Sequence, residues 1–162
     1  MEHVLEWLES TQFSALVRSE LWGWPLALTL HALGTALVIG FVAIIGLRLL
    51  GLFDLIPYTS LKRMFPVIWA ALALQLLSGF TLWMTKPTQY VADVAFLLKV
   101  LLVILGTILT LSLYGTVTRE ATSWGAKGGV VSPRAVTFVA ATLLVWCGAL
   151  VAGRLTAYLG SL

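Results

Sequence analysis

The fold is decided by the stretch WGWPLALTLHALGTALVIGFVAIIGLRLLG, residues 22–51, in which almost every residue is apolar. The stretch exceeds the roughly 20 apolar residues that a helix needs to cross the hydrocarbon core of a bilayer. A single imidazole, that of His31, interrupts it. A polar group without a hydrogen-bond partner is costly in hydrocarbon. His31 therefore requires a partner, from the protein or from a ligand.

The composition of the whole chain is that of an integral membrane protein. Its 162 residues are 60% hydrophobic and only 10% charged, with a mean hydropathy of +1.00. Ordinary soluble domains carry far more charge. The sequence predicts an all-α, integral membrane four-helix bundle that forms a single transmembrane domain over residues 1–162. The four spans are expected at about 22–48, 64–85, 94–117 and 135–158.

Charged residues outside the spans predict the orientation in the membrane. Six Lys and Arg residues lie in the first and third loops, and three lie in the N-terminal segment, the second loop and the C-terminal end. By the positive-inside rule, we expect both termini to be periplasmic in a bacterial inner (cytoplasmic) membrane. The basic residues form no stripe, which argues against nucleic-acid binding.

The N-terminal segment, residues 1–21, contains acidic residues and also an apolar face. This pattern predicts a short amphipathic helix, or two, lying at the outer membrane interface; a solvated tail is the alternative.

Three side chains that can bind a metal or an anion fall in the same half of the membrane. At 1.5 Å per residue, His31, Lys99 and Arg154 lie roughly 13, 8 and 6 Å from the outer ends of their spans. No Asp or Glu lies inside any predicted span. Two cations and an imidazole without an internal carboxylate suggest that an anionic cofactor supplies the negative charge.

Haem b meets these requirements, because iron binds imidazole, the macrocycle suits apolar walls, and cations pair with propionates. We predict one haem per chain, with His31 as axial ligand and Arg154 as propionate partner. Lys99 is expected to be a second axial ligand or a propionate partner, and Met84 is the other candidate for the sixth position, which could also be empty or filled by another chain. The remaining predicted lining residues are Gly34, Thr35, Gln75 and Ser78.

Other interpretations stay open at this point. The only other histidine, His3, lies in the N-terminal segment, so ligation by two histidines of one chain is excluded. Copper would need ligands besides the single cysteine, Cys147, which is expected to be a packing residue. In a haem-free structural subunit or small-molecule carrier, His31 would simply hydrogen-bond to a carbonyl group or to Gln75 across the bundle.

Four segments carry a resemblance to known membrane proteins: LHALGTALVIG (30–40), KRMFPVIW (62–69), FLLKVLLVILG (96–106) and AGRLTAY (152–158). In this order they resemble an uncharacterised bacterial family of four-span membrane proteins and, more distantly, the HemJ-type protoporphyrinogen oxidases and the CopD-like membrane proteins. In HemJ-type proteins an early-span histidine and a third-span lysine are implicated in haem binding and activity. The resemblance assigns these roles to His31 and Lys99.

The expected function is therefore one-electron transfer by a membrane-embedded haem, between a periplasmic donor and a quinone or a larger membrane complex. A HemJ-like porphyrinogen oxidase is the enzymatic alternative. Stripes of small residues such as Ala36, Gly40 and Ala43 could also face a second copy in a homo-oligomer.

Overall fold

The computed structural model describes residues 2–159, with side chains from His3 to Thr156. Within this range the chain is helical, without strands, and the predicted all-α membrane bundle is confirmed. The helices are α1 (Glu2–Ser10), α2 (Gln12–Ser19), α3 (Gly23–Leu49), α4 (Phe65–Met84), α5 (Pro87–Ala92), α6 (Val94–Trp124) and α7 (Pro133–Leu159), with a 3₁₀ helix at Tyr58–Met64 before α4. The ends of the predicted domain, residue 1 and residues 160–162, lie outside the described residues.

Four helices, α3, α4, α6 and α7, are long and apolar enough to cross a membrane, so the protein is a multi-pass membrane protein. Their positions match the four predicted spans with one clear difference. Helix α6 continues to Trp124, beyond the predicted end at 117. The extra turns persist because Ala121 and Trp124 are buried, and because the ring of Trp124 packs edge-on against Tyr58 at 5.8 Å. The short helix α5 was not expected from the sequence.

The four spans form two close helix pairs, α3 with α4 and α6 with α7, and the pairs meet where α3 packs on α7. Glycines allow the close approach within each pair. A Cβ atom at Gly34 would lie 2.9 Å from the Ala71 carbonyl oxygen, and one at Gly106 would lie 2.9 Å from the Trp146 ring. In the part of the chain that the structure describes, α4 and α6 approach each other less closely than the helices of either pair. They meet toward one end, where the 3₁₀ helix packs on α6 and Phe65 of α4 contacts Tyr114 of α6.

The two ends of the bundle differ in character. We call the end with the 3₁₀ helix and the loop 125–132 the loop end, and the end with α1, α2 and α5 the terminal end. Most of the large, fully buried apolar side chains lie toward the loop end: Ile45, Leu61, Phe65, Ile68, Leu113 and Val117. The packed core thus lies in the loop half of the membrane span.

Helices α1 and α2 fold back onto the terminal end of the bundle. The Ser14 hydroxyl donates to the Met84 carbonyl oxygen at 3.1 Å, and Arg18 donates to the Thr85 carbonyl oxygen at 3.1 Å. Trp7 and Val4 remain exposed at 65% and 60%. The N-terminal segment therefore forms two short amphipathic helices, and their placement at the membrane interface stays a prediction.

A histidine–lysine site between the helix pairs

His31 lies on α3 in the terminal half of the span, with its ring held against α4. Its Nδ1 atom is 3.0 Å from the backbone carbonyl oxygen of Gln75 and 3.3 Å from the Ser78 hydroxyl oxygen. The carbonyl oxygen can only accept, and the Ser78 hydroxyl donates its own proton to the Leu74 carbonyl oxygen at 2.6 Å. The Nδ1 atom must therefore carry the proton, which leaves the lone pair of the neutral ring on Nε2.

The Nε2 atom faces the amine of Lys99 on α6 at 3.1 Å. Since a lysine amine donates hydrogen bonds, Lys99 Nζ is the donor and His31 Nε2 the acceptor. Among the side-chain hydrogen bonds described within the four spans, this is the one that connects the α3–α4 pair to the α6–α7 pair. The atom through which an imidazole binds a metal is thus occupied by an amine of the same chain.

Glycines fit tightly around both side chains. A Cβ atom at Gly79 would lie 3.0 Å from His31 Cε1, and one at Gly153 would lie 3.3 Å from the Lys99 stem. The Thr35 hydroxyl donates to the His31 carbonyl oxygen at 2.9 Å, within helix α3. Close neighbours on three helices therefore fix where the imidazole and the lysine stem lie.

Lys99 has no anionic partner in the described structure. Its side chain is half-buried, and the ion pairs among residues 3–156 are His3–Glu6, Arg18–Glu9 and Arg48–Asp54. An amine nitrogen carries up to three donors, and His31 accepts one of them. The remaining Lys99 N–H groups have no acceptor among the described residues.

In the part of the chain that the structure describes, Gln75 has a hydrogen-bond acceptor without a donor, whereas Lys99 has donors without acceptors. The residue is 4% exposed, and its side-chain oxygen Oε1 is buried without a hydrogen-bond donor among the described residues. Its own backbone carbonyl oxygen accepts from His31, so a single imidazole ring separates Gln75 from Lys99. The backbone carbonyl oxygen of Gln75 and the amine of Lys99 thus lie on either side of the His31 ring.

The structure brings together four of the predicted site residues: His31, Lys99, Gln75 and Ser78. Gly34 lies where α3 and α4 pack together, with its backbone directly against Ala71 and Gln75. Its role there is to let the two helices approach closely. Thr35 is on the same turn as His31 and bonds within its own helix.

The other predicted residues form no hydrogen bond with the imidazole in the described structure. Arg154 directly follows Gly153 in the chain, but its side chain is exposed and forms no hydrogen bond or ion pair among the described residues. Met84 lies at the last residue of α4 and is half-buried. Cys147 is exposed on α7, so its assignment as a packing residue was wrong.

Several features of the site were not found from the sequence. The contact of Gly153 with the Lys99 stem was not expected from the sequence, whereas Gly79 shares the stripe of small residues that carries Ser78 and Gln75. Outside the spans, near the terminal end, burial and the carboxylate of Asp93 raise the pKa of Tyr90.

Within the described residues, no group of three or more His, Cys, Asp and Glu side chains is arranged to hold a metal ion.

Comparisons of the chain with protein-family models, curated proteins and solved structures give no match. The resemblance based on the four sequence segments therefore stays a prediction, and the function must be argued from the site itself.

Proposed function

We propose that this protein binds haem b within a bacterial inner membrane and transfers electrons, with His31 as an axial ligand of the iron. The observation that supports the proposal most directly is the tautomer of His31. Ring nitrogens that bind metals are commonly oriented by a hydrogen bond from the other nitrogen to a backbone carbonyl group. His31 has this arrangement, with Nδ1 on the Gln75 carbonyl oxygen and Nε2 directed toward the opposite helix pair.

The lone pair of His31 Nε2 would bind the iron, and Lys99 Nζ, which lies 3.1 Å from it, would have to move aside. Lys99 would then serve as a second ligand or as a propionate partner. The flexible four-carbon stem of lysine permits either movement.

Electrostatics also favours an anionic cofactor. Lys99 has no carboxylate partner among the described residues, and Arg154 is exposed next to the glycine on which the Lys99 stem rests. A bound haem supplies one-electron redox chemistry and two propionate charges. In this proposal Lys99 and Arg154 would pair with those charges, and His31 would bind the iron.

The charge of the loops, not the site, is what favours a periplasmic location for both termini in this proposal. Electrons would then pass between the haem and a lipid-soluble quinone, a periplasmic protein or a larger membrane complex. A haem-b electron carrier needs no residue for acid–base catalysis, in keeping with the predicted spans 22–48, 64–85, 94–117 and 135–158, which contain neither Asp nor Glu.

Absorption spectra of the purified protein, oxidised and then reduced, test the proposal. After expression with ample haem we expect a Soret band that His31→Ala abolishes and that the matched control His3→Ala retains. Lys99→Met should change the spin state if lysine is the second ligand, or lower haem retention if it pairs with a propionate. The absence of a Soret band, or a band unchanged in His31→Ala, would contradict the proposal.

A further inference from the structure

The hydrogen bond between His31 and Lys99 covers the atom that a metal would need. In the neutral ring, Nδ1 carries the proton that is donated to the Gln75 carbonyl oxygen, so Nε2 has the one free lone pair of the imidazole. Lys99 Nζ uses this lone pair at 3.1 Å. Because a lone pair serves one partner at a time, a metal can bind Nε2 only when Lys99 has left it.

Lys99 would lose its acceptor by leaving His31. The Lys99 side chain lies close to the backbone of α7, where a Cβ atom at Gly153 would be 3.3 Å from its Cδ and Cε and 3.5 Å from its Nζ. Among the described residues, His31 Nε2 is the one hydrogen-bond acceptor of Lys99, and no carboxylate forms an ion pair with it. A partly buried donor without an acceptor costs free energy. Displacement of Lys99 is therefore unfavourable unless the incoming ligand brings an acceptor of its own.

The same surroundings disfavour a free metal ion. No three His, Cys, Asp and Glu side chains of the described chain are grouped to hold one, so a free ion would lack the three or four protein ligands that metal sites usually provide. It would also lie next to the cationic group of Lys99, and like charges repel strongly away from water. A metal complex that has ligands of its own and an acid group avoids both obstacles.

We propose that Lys99 determines which ligands His31 can bind, because it covers Nε2 and yields to a metal complex whose carboxylate or other acid group accepts its hydrogen bonds. This specificity rests on the proposed function for its natural ligand, since haem b is a metal complex with two propionate groups. Lys99 is thus a competitor for Nε2 and also a partner of the ligand that displaces it.

Two zinc porphyrins that differ only in their acid groups test this proposal. The full-length protein without haem, in phosphatidylcholine nanodiscs, is titrated with zinc protoporphyrin IX, which has two free carboxylates, and separately with its dimethyl ester, which has none. Zinc in a porphyrin takes a single axial ligand, so the red shift of the Soret band on imidazole binding reports occupation of His31. The same titrations of His31→Ala correct for uptake into the lipid.

We expect the wild-type protein to bind the diacid at least about tenfold more tightly than the ester, because charge-assisted hydrogen bonds are among the stronger ones. Lys99→Met should reduce this preference at least about threefold. It should also bind the ester about threefold to tenfold more tightly than the wild type does, because Nε2 is then free. A residue that only maintained the fold would instead lose binding of both porphyrins.

Substitutions of two other cations serve as controls. Arg154 is exposed and forms no hydrogen bond with His31 in the described structure, so Arg154→Met should weaken binding of the diacid without tightening binding of the ester. Lys86 is exposed and lies outside the spans, so Lys86→Met should leave both affinities unchanged. Tighter binding of the ester is therefore expected in Lys99→Met alone.

The outcomes distinguish this proposal from the haem proposal. An equal preference for the diacid in the wild type and in Lys99→Met, or ester binding that Lys99→Met does not tighten, would overturn the specificity assigned to Lys99. If the Soret shifts still depended on His31, the haem proposal would stand while this one fails. The expected specificity for zinc porphyrins in a protein that purifies without a haem Soret band would do the reverse. Shifts that do not depend on His31 would contradict both.

Discussion

Two cations on the spanning helices, Arg48 and Lys99, have opposite surroundings. Arg48 lies at the loop end of α3, donates to the Ile56 carbonyl oxygen and to Asp54, and stacks over the Tyr58 ring at 3.9 Å. Lys99, in the terminal half, contacts a neutral imidazole and has no carboxylate among the described residues. The first cation is satisfied by the protein itself. The second has His31 as its hydrogen-bond acceptor and no carboxylate partner among the described residues.

The same contrast extends to the halves of the bundle. The loop half contains the packed apolar core, whereas the terminal half contains the imidazole, the lysine amine and an unpaired amide oxygen. Binding sites are expected to sacrifice some local stability for chemistry. Substitutions in the loop half should therefore mainly lower the free energy of unfolding, whereas substitutions in the terminal half should mainly change ligand binding.

The largest expected effect on stability is in the core of the loop half. Phe65 is fully buried and packs edge-on against Tyr114 at 4.9 Å between ring centres. Phe65→Ala should lower the free energy of unfolding by about 3 kcal/mol, because it leaves a cavity among packed side chains. The measurement is thermal or denaturant unfolding in detergent micelles.

The matched control for this prediction is Phe80→Ala, on the same helix but 55% exposed. It should cost less than about 1 kcal/mol, as surface substitutions usually do. Equal losses in both variants would mean that the core of the loop half does not dominate stability.

Substitution of the two cations should affect stability in opposite directions. Arg48→Met leaves the Ile56 carbonyl oxygen without its donor and should cost about 1–3 kcal/mol; the exposed Asp54 contributes little. Lys99→Met removes a cation from a span, where charges cost about 2.5–3.5 kcal/mol at the centre and less toward the ends. Lys99→Met should therefore leave the unfolding temperature unchanged or raise it.

The stabilities of Arg48→Met and Lys99→Met are compared by measuring the unfolding of each variant without added ligand. A similar loss in Lys99→Met and Arg48→Met would show that the His31–Lys99 contact is a structural connection between the helix pairs rather than part of a binding site.

The sequence predicted the spans well because hydropathy alone determines which segments can cross a bilayer. It also predicted that His31 and Lys99 lie at similar depth, since depth follows from the distance along a helix. The lining residues predicted on α3 and α4, Gly34, Gln75 and Ser78, are indeed buried. The sequence did not predict which helices pair, because pairing depends on close contacts such as Gly34 against Ala71. The exposure of Arg154 and the unpaired oxygen of Gln75 became visible only in the structure.

The smallest and most specific comparison uses two glycines of the spans. A Cβ atom at Gly79 would lie 3.0 Å from His31 Cε1 and 3.2 Å from Nδ1, whereas one at Gly40 meets nothing within 4 Å. Gly40→Ala should raise stability by up to about 0.5–1 kcal/mol, because alanine favours the helix. Gly79→Ala should lose that gain, because the imidazole must move by a few tenths of an ångström and weaken its bond to the Gln75 carbonyl oxygen.

Unfolding and the Soret band are measured on both Gly79→Ala and Gly40→Ala. Together they distinguish displacement of the His31 ring from the general stabilisation of a helix by alanine. The chemical change is identical and both glycines lie within spans, so a difference between the variants reports the surroundings of the new methyl group. A shifted or weakened Soret band in Gly79→Ala alone is the expected result, because the axial orientation of His31 depends on Nδ1. Identical spectra and identical stabilities in the two variants would mean that the imidazole tolerates displacement, and the tautomer set by Gln75 would then lose its importance for ligand binding.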